Sequence, residues 1–184
     1  MSVIQQISLF LVEAVLSLYI SAIVIRFLLG YARADFYNPL SQFLVKITDP
    51  VLIPVRRLVP AIGRLDTAAV VVALGLVIVK LILLSILLGQ GFNLLLLIWV
   101  AVGELIRSVI WIYMIALILM CVISWLGSTT NNLALPLINS LATGLLAPVR
   151  RRLPSVGILD LSPWVVLLGL NVLLIIVNGI FPSF

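Results

Sequence analysis

Two arginine clusters hold the residue types and spacing best suited to chemistry in this chain. Pro54-Val55-Arg56-Arg57 is followed by Pro60, Gly63 and Asp66. The pattern returns 94 residues later as Pro148-Val149-Arg150-Arg151-Arg152, followed by Pro154, Gly157 and Asp160. From 54 to 76, 13 of the 23 aligned pairs are identical. Guanidinium forks match phosphate and carboxylate oxygens two at a time, so the chemistry on offer is anion recognition. The competing reading is a topology signal whose side chains reach lipid phosphates from the end of a span. Such a signal needs only positive charge, whereas this frame of prolines, glycine and aspartate is kept twice. Gly63 and Gly157 read as tight turns that use glycine's access to positive φ. Asp66 and Asp160 read as helix caps rather than as acids.

A second set of polar residues lies inside apolar stretches. Lys80 falls well within one of them, and its aligned mate is Leu174, so the repeat does not require a charge there. Two readings stand: a functional intramembrane charge, or a lysine stem snorkelling to the far interface. Glu13 and Arg107 occupy aligned positions with opposite charge, and are expected to pair if their spans meet. Glu104, three residues before Arg107, is the simpler partner. Asn171 and Asn178 read as polar glue between helices. The single Cys121 rules out an intrachain disulfide, and the chain has no histidine. That absence removes imidazole metal sites, His-ligated haem and every nucleophile activated by histidine. No P-loop, dinucleotide fingerprint or zinc spacing occurs. The carboxylates are too scattered for a metal cage or an acid–base pair, so no catalytic residue, metal or cofactor is assigned.

The elements that must position these residues follow from composition. With 64% hydrophobic and 9% charged residues and a mean hydropathy of +1.38, the chain has more apolar surface than a soluble fold of 184 residues can cover. It reads as an all-α integral membrane protein. The formal charge is +5, and eight of the eleven basic residues (Arg33, Lys46, Arg56, Arg57, Arg64, Arg150, Arg151 and Arg152) lie in two loops beside spans. Anionic head groups are therefore nearer partners than nucleic acid, and no interleaved aromatics argue for direct nucleic-acid binding. Four stretches are long enough to cross a bilayer: about 9–31, 67–88, 108–126 and 163–181. The N-terminus lacks the basic region and small-residue cleavage site of a secretory signal, so the first span is expected to be retained.

The 94-residue offset also aligns the first span with the third, which makes two tandem hairpins in a parallel repeat, 1–91 and 92–184. The stretch from Phe92 to Gly103 is too short to span alone, and is either an extension of the third helix or an interfacial piece. The positive-inside rule then puts both basic loops in the cytoplasm and both termini outside. Within the loops, Asn38-Pro39 opens one short helix. Asp49-Pro50 reads as the cap and first turn of a second, ending near Pro60 with Arg56 and Arg57 in its last turn. The second loop repeats this with Leu135-Pro136 and Ala147-Pro148, and both loops should lie as amphipathic pieces in the interface. Gly75 and Gly169 are expected to let spans approach closely.

The doubled Pro-Val-Arg-Arg…Pro…Gly…Asp frame on tandem hairpins resembles the YggT (YlmG) family of small bacterial membrane proteins, in its two-repeat form. The second copy departs from the first in having Gly144-Leu145-Leu146 where the first has Asp49-Pro50 before the motif. The resemblance implies an inner-membrane protein linked to osmotic tolerance and cell division. Plastid relatives are associated with nucleoid or thylakoid organisation and with haem attachment to a b-type cytochrome. No catalytic residue travels with the resemblance. The expectation is a non-enzymatic scaffold or assembly factor whose arginine loops bind anionic lipid or an acidic membrane or cytoplasmic protein, with a homo-oligomer possible. The rival is an oligomeric ion channel or transporter in osmotic adaptation, supported by Lys80, Glu104 and Arg107.

Overall fold

The computed structural model describes residues 2–63, 65–91, 93–126, 133–152 and 160–182. Six helices follow in order: α1 Val3–Tyr31, α2 Pro39–Arg56, α3 Thr67–Leu87, α4 Leu94–Leu126, α5 Leu135–Arg150 and α6 Ser162–Ile180. Among the described residues there is no strand, only an isolated bridge between Ile62 and Leu65. Helices α1, α3, α4 and α6 are long and apolar enough to cross a membrane, which makes this a multi-pass membrane protein. At 1.5 Å per residue α3 and α6 measure about 30 Å, the thickness of the hydrocarbon core. Helices α1 (29 residues) and α4 (33 residues) overhang it.

That overhang resolves the stretch before Gly103. From Leu94 it is the first third of α4, so the third long helix begins 14 residues earlier than position 108. Leu97, Val100 and Ala101 are buried in the core formed mainly by α1 and α3. The extension therefore docks the second hairpin onto the first. A second core joins Ile110, Met114 and Leu117 of α4 to Ala142 and Leu146 of α5 and Val166, Leu170 and Val177 of α6. Asn38 caps α2 by accepting from Leu40 N at 2.9 Å, and its amide donates to Leu133 O at 2.6 Å. The two basic loops thus meet at one end of the bundle, called here the basic end.

The loops are built differently from the sequence expectation. Among the described residues each holds one amphipathic helix, not two. Helix α2 runs through Pro50 and Pro54, and α5 runs through Pro148. An internal proline removes a backbone donor and pushes on the preceding turn. Tertiary donors hold α2 beside the first proline: Tyr19 Oη donates to Ile47 O at 3.1 Å and Arg26 Nη1 to Val45 O at 3.3 Å. Asp49 does not cap a new helix because its carboxylate is held by Arg26.

Two helix ends share one stop geometry with different residues. At the end of α3, Gly89 (φ 66°) donates to Ile86 O and Gln90 to Ser85 O, the paired bonds of a Schellman stop. The end of α1 makes the same pair, Arg33 to Gly30 O and Ala34 to Leu29 O, but the left-handed residue is Arg33 (φ 54°). A side chain in that conformation costs about 1–2 kcal/mol that glycine avoids. Close helix approach is also not where the sequence placed it. A side chain at Gly75 or Gly169 would meet nothing, whereas a Cβ at Gly103 would strike the ring of Phe181. Phe181 stacks on Trp99 with centroids 4.4 Å apart.

Candidate anion site and intramembrane ion pair

Each arginine cluster divides its labour. Arg56 pairs with Asp66, and Arg150 pairs with Asp160 through Nε at 2.9 Å and Nη2 at 2.8 Å, both across ten residues. The aspartates do two jobs at once. Asp66 Oδ1 accepts from Ala69 N at 3.3 Å at the start of α3, and Asp160 Oδ1 accepts from Ser162 N at 2.9 Å at the start of α6. Hydrogen bonds from Ser162, aided by the Arg150 guanidinium, hold the Asp160 carboxyl below the ordinary carboxylate range. The first arginine of each motif is thus a clamp that ties an amphipathic helix to the next long one.

The remaining arginines are not spent this way. Arg57, Arg151 and Arg152 are exposed, and among the described residues none has a carboxylate partner. The first loop reaches its clamp through a shaped path. Pro54 lies in the last turn of α2, Pro60 O accepts from Thr67 Oγ1 at 2.6 Å, and Gly63 (φ 61°) turns the chain between reciprocal Ile62–Leu65 bonds. Pro148 lies inside α5, while Pro154, Gly157 and Arg64 fall outside the described residues.

The intramembrane charges collect towards the opposite end. Lys80 is 4% exposed, so it does not snorkel. Its Nζ pairs with Glu104 and donates to Ser17 Oγ at 3.2 Å, joining α3 to α4 and α1. Glu104 therefore serves Lys80 rather than Arg107. The expected Glu13–Arg107 pair does not form: Arg107 donates to Phe181 O at 3.1 Å, Pro182 O at 3.2 Å and Asn178 Oδ1 at 3.4 Å. Both carbonyls lie just past the end of α6, where the extended backbone leaves them without helical donors and the helix dipole favours a cation. Glu13 is exposed, one turn from Ser17 on α1. Asn171 is not interhelical glue either, since its amide donates to Leu167 O of its own helix at 2.9 Å.

One polar centre had no counterpart in the sequence reading. Arg26, 7% exposed, donates to Thr48 Oγ1 at 2.5 Å and to Asp49 Oδ1 at 2.7 Å, fastening α2 beneath α1. A lone arginine near the end of a span with an aspartate in the next amphipathic helix was the available signal. Beside it lies a cavity of about 280 Å³ lined by Arg26, Phe27, Tyr31, Phe36, Arg56 and Asp66.

The model of the CCB3/YggT family matches the chain twice, over residues 5–87 and 99–181. The chain belongs to the CCB3/YggT family. The two matches are offset by the same 94 residues as the motif, from 5 to 99 and from 87 to 181. Each covers one arginine–aspartate clamp, and the Lys80–Glu104 bond crosses from one match to the other. Among family relatives, an uncharacterised protein of Pseudomonas aeruginosa is 38% identical over 179 residues, covering 94% of this chain and 89% of its own length. The uncharacterised protein YggT of Escherichia coli is 36% identical over 165 residues, 89% and 85% of the two chains. A Vibrio alginolyticus relative is 37% identical over 172 residues, 88% of each. None of these names is enzymatic. No solved structure matches.

Proposed function

We propose that this chain is a non-enzymatic scaffold or assembly factor of the bacterial inner membrane. On this reading the basic loops face the cytoplasm and both termini the periplasm, as the charge distribution favours. The loops recruit anionic lipid or an acidic protein partner, and a second copy of the chain can join the assembly. The carrying observation is the split within each motif: Arg56 and Arg150 are clamped to aspartates, while Arg57, Arg151 and Arg152 stand exposed beside them. Guanidinium forks displayed at a membrane interface suit phosphate and carboxylate groups. Family resemblance points the role towards osmotic tolerance, cell division or the biogenesis of a membrane complex.

Changing Arg57, Arg151 and Arg152 together to Ala tests this. Co-sedimentation of the reconstituted protein's soluble partners, and its preference for phosphatidylglycerol over phosphatidylcholine, should both fall while insertion and thermal stability hold. Unchanged binding would remove the scaffold reading.

A second reading, an oligomeric conduit for ions in osmotic adaptation, draws on one observation: Lys80 and Glu104 meet inside the spanning region. Intramembrane charges commonly mark ion paths. Ion flux into liposomes that changes with Lys80→Leu would promote it, and absence of flux from well-inserted protein would discard it.

A further inference from the structure

The geometry points to a built site for the phosphate head group of an anionic phospholipid in the first repeat, between the end of α1 and the Arg56–Asp66 clamp. It sharpens, and rests on, the reading of the basic loops as lipid-facing, but it names a discrete pocket where that reading needs only exposed charge. Three observations carry it.

The first is the lining of the 280 Å³ cavity. Phe27, Phe36 and Val45 give an apolar wall, and Arg26, Arg56, Tyr31 and Asp66 bring polar groups to it, the Asp66 carboxylate being offset by its pairing with Arg56 and its bond from Ala69 N. An apolar hollow with a few convergent polar groups is the usual chemistry of a small-molecule site. The guanidiniums keep donors in reserve. Arg56 bonds only through Nη2, and Arg26 uses Nη1 and Nη2, so among the described residues Nε of both and Nη1 of Arg56 remain unengaged. A phosphate has oxygens to accept them.

The second is location. The cavity lies where α1 leaves and α3 enters the spanning region, and its lining residues Tyr31 and Phe36 are exposed. Aromatic residues with polar tips gather at head-group level. The volume suits a head group, and a head group at this level leaves its acyl chains in the hydrocarbon, an anchorage that free phosphate lacks.

The third is Arg33. The Schellman stop of α3 takes Gly89, and the position aligned with Arg33 in the second repeat is Gly127. The first repeat instead holds an arginine in the left-handed conformation, exposed, two residues beyond Tyr31. Backbone strain kept where glycine would relieve it argues that the side chain has a use. Arg26 is likewise peculiar to the first repeat, since its aligned residue is Met120. Arg26 lines the cavity and Arg33 follows its lining residue Tyr31 by two positions, and both suit a ligand bearing negative charge.

Native mass spectrometry of the full chain, titrated with short-chain phosphatidylglycerol in neutral detergent, tests the assignment. Wild type should retain one lipid tightly. Gly30→Leu fills the cavity without touching a charge; the nearest atom to its Cβ would be Phe36 Cζ at 3.8 Å, an ordinary contact. It should weaken retention about tenfold, the equivalent of one lost charged hydrogen bond. Arg33→Gly should weaken it about fivefold, as expected for one cation near an anionic head group, without lowering the thermal midpoint. The Arg57, Arg151 and Arg152 triple Ala variant should keep the tight lipid while losing surface recruitment, which separates failure of the pocket from failure of the scaffold reading. Undiminished retention in folded Gly30→Leu, or in Arg33→Gly, would overturn the site. So would displacement by inorganic phosphate at concentrations matching the lipid, which would make the ligand free phosphate.

Discussion

The chain uses ion pairs in two places under opposite physical regimes. The Arg56–Asp66 and Arg150–Asp160 clamps occur once per repeat, in the basic loops, with side chains a quarter to nearly half exposed. The Lys80–Glu104 pair occurs once, between repeats, with the lysine almost wholly enclosed. Its aligned positions are Leu174 and Phe10, both apolar. Near water a pair gains little and is lost cheaply, so it can be duplicated and used for geometry. In an apolar interior a pair must be complete or absent, because a single charge left behind has nothing to solvate it.

The largest effect is therefore expected at the junction between repeats. Lys80→Leu or Glu104→Leu alone should destabilise by about 3–5 kcal/mol. The double Leu variant should regain most of that loss, since it removes both charges and inserts the residue type the second repeat already uses at position 174. Thermal unfolding in detergent reads this as a double-mutant cycle. A double-variant loss equal to the sum of the two single losses would mean that the pair is not coupled and that the contrast with the clamps is false.

Arg26 stands between the two regimes: buried like Lys80, but paired with an Asp49 that is 31% exposed. Arg26→Met, which installs the residue of the second repeat, should cost about 3 kcal/mol through the lost charge-assisted bonds to Thr48 and Asp49. Proteolysis within α2 should accelerate in parallel, because the bonds to Val45 O and Asp49 tie the proline-bearing helix to α1. Stability lost without increased cleavage of α2 would place the role of Arg26 elsewhere.

The difference between what was and was not legible in the sequence has the same origin. Asp66, Asp160 and Asn38 announce themselves because helix starts are local, decided within a few residues. The four long helices were visible from hydropathy. Helix α2 reads as two because Asp49-Pro50 is a strong local start signal, whereas the carboxylate of Asp49 is held by Arg26, 23 residues away, which no local pattern announces. Glu13 and Arg107 misled differently. Alignment in a parallel repeat means equivalent places in two hairpins, not proximity, and the carbonyls of Phe181 and Pro182 just past α6 are the nearer claim on Arg107. Gly75 and Gly169 show the limit of residue type alone, since close approach also needs a neighbour aimed at the gap.

Gly103 supplies the next test. It sits one residue before Glu104 and faces Phe181, so Gly103→Ala should force the ring off Trp99 and cost about 1–2 kcal/mol by overpacking. Tryptophan fluorescence should change with it. If Gly75→Ala costs as much as Gly103→Ala, the contact between α4 and the end of α6 is not the tight one.

The smallest effect belongs to the clamps, and its sign with pH is fixed. The Asp160 carboxyl is held low in the folded chain by Ser162 and Arg150. Its contribution is therefore complete above the ordinary carboxylate range and disappears as pH falls through the lowered folded value. Arg150→Ala should remove under about 1 kcal/mol at neutral pH, given how exposed both partners are. Asp160→Asn should flatten the acid limb of the stability profile, since it removes the titrating group and leaves an amide oxygen to cap α6. An acid limb as steep in Asp160→Asn as in wild type would assign the proton uptake to another carboxylate. The clamp at Asp160 would then be a matter of geometry alone, without the charge that distinguishes it from an ordinary cap.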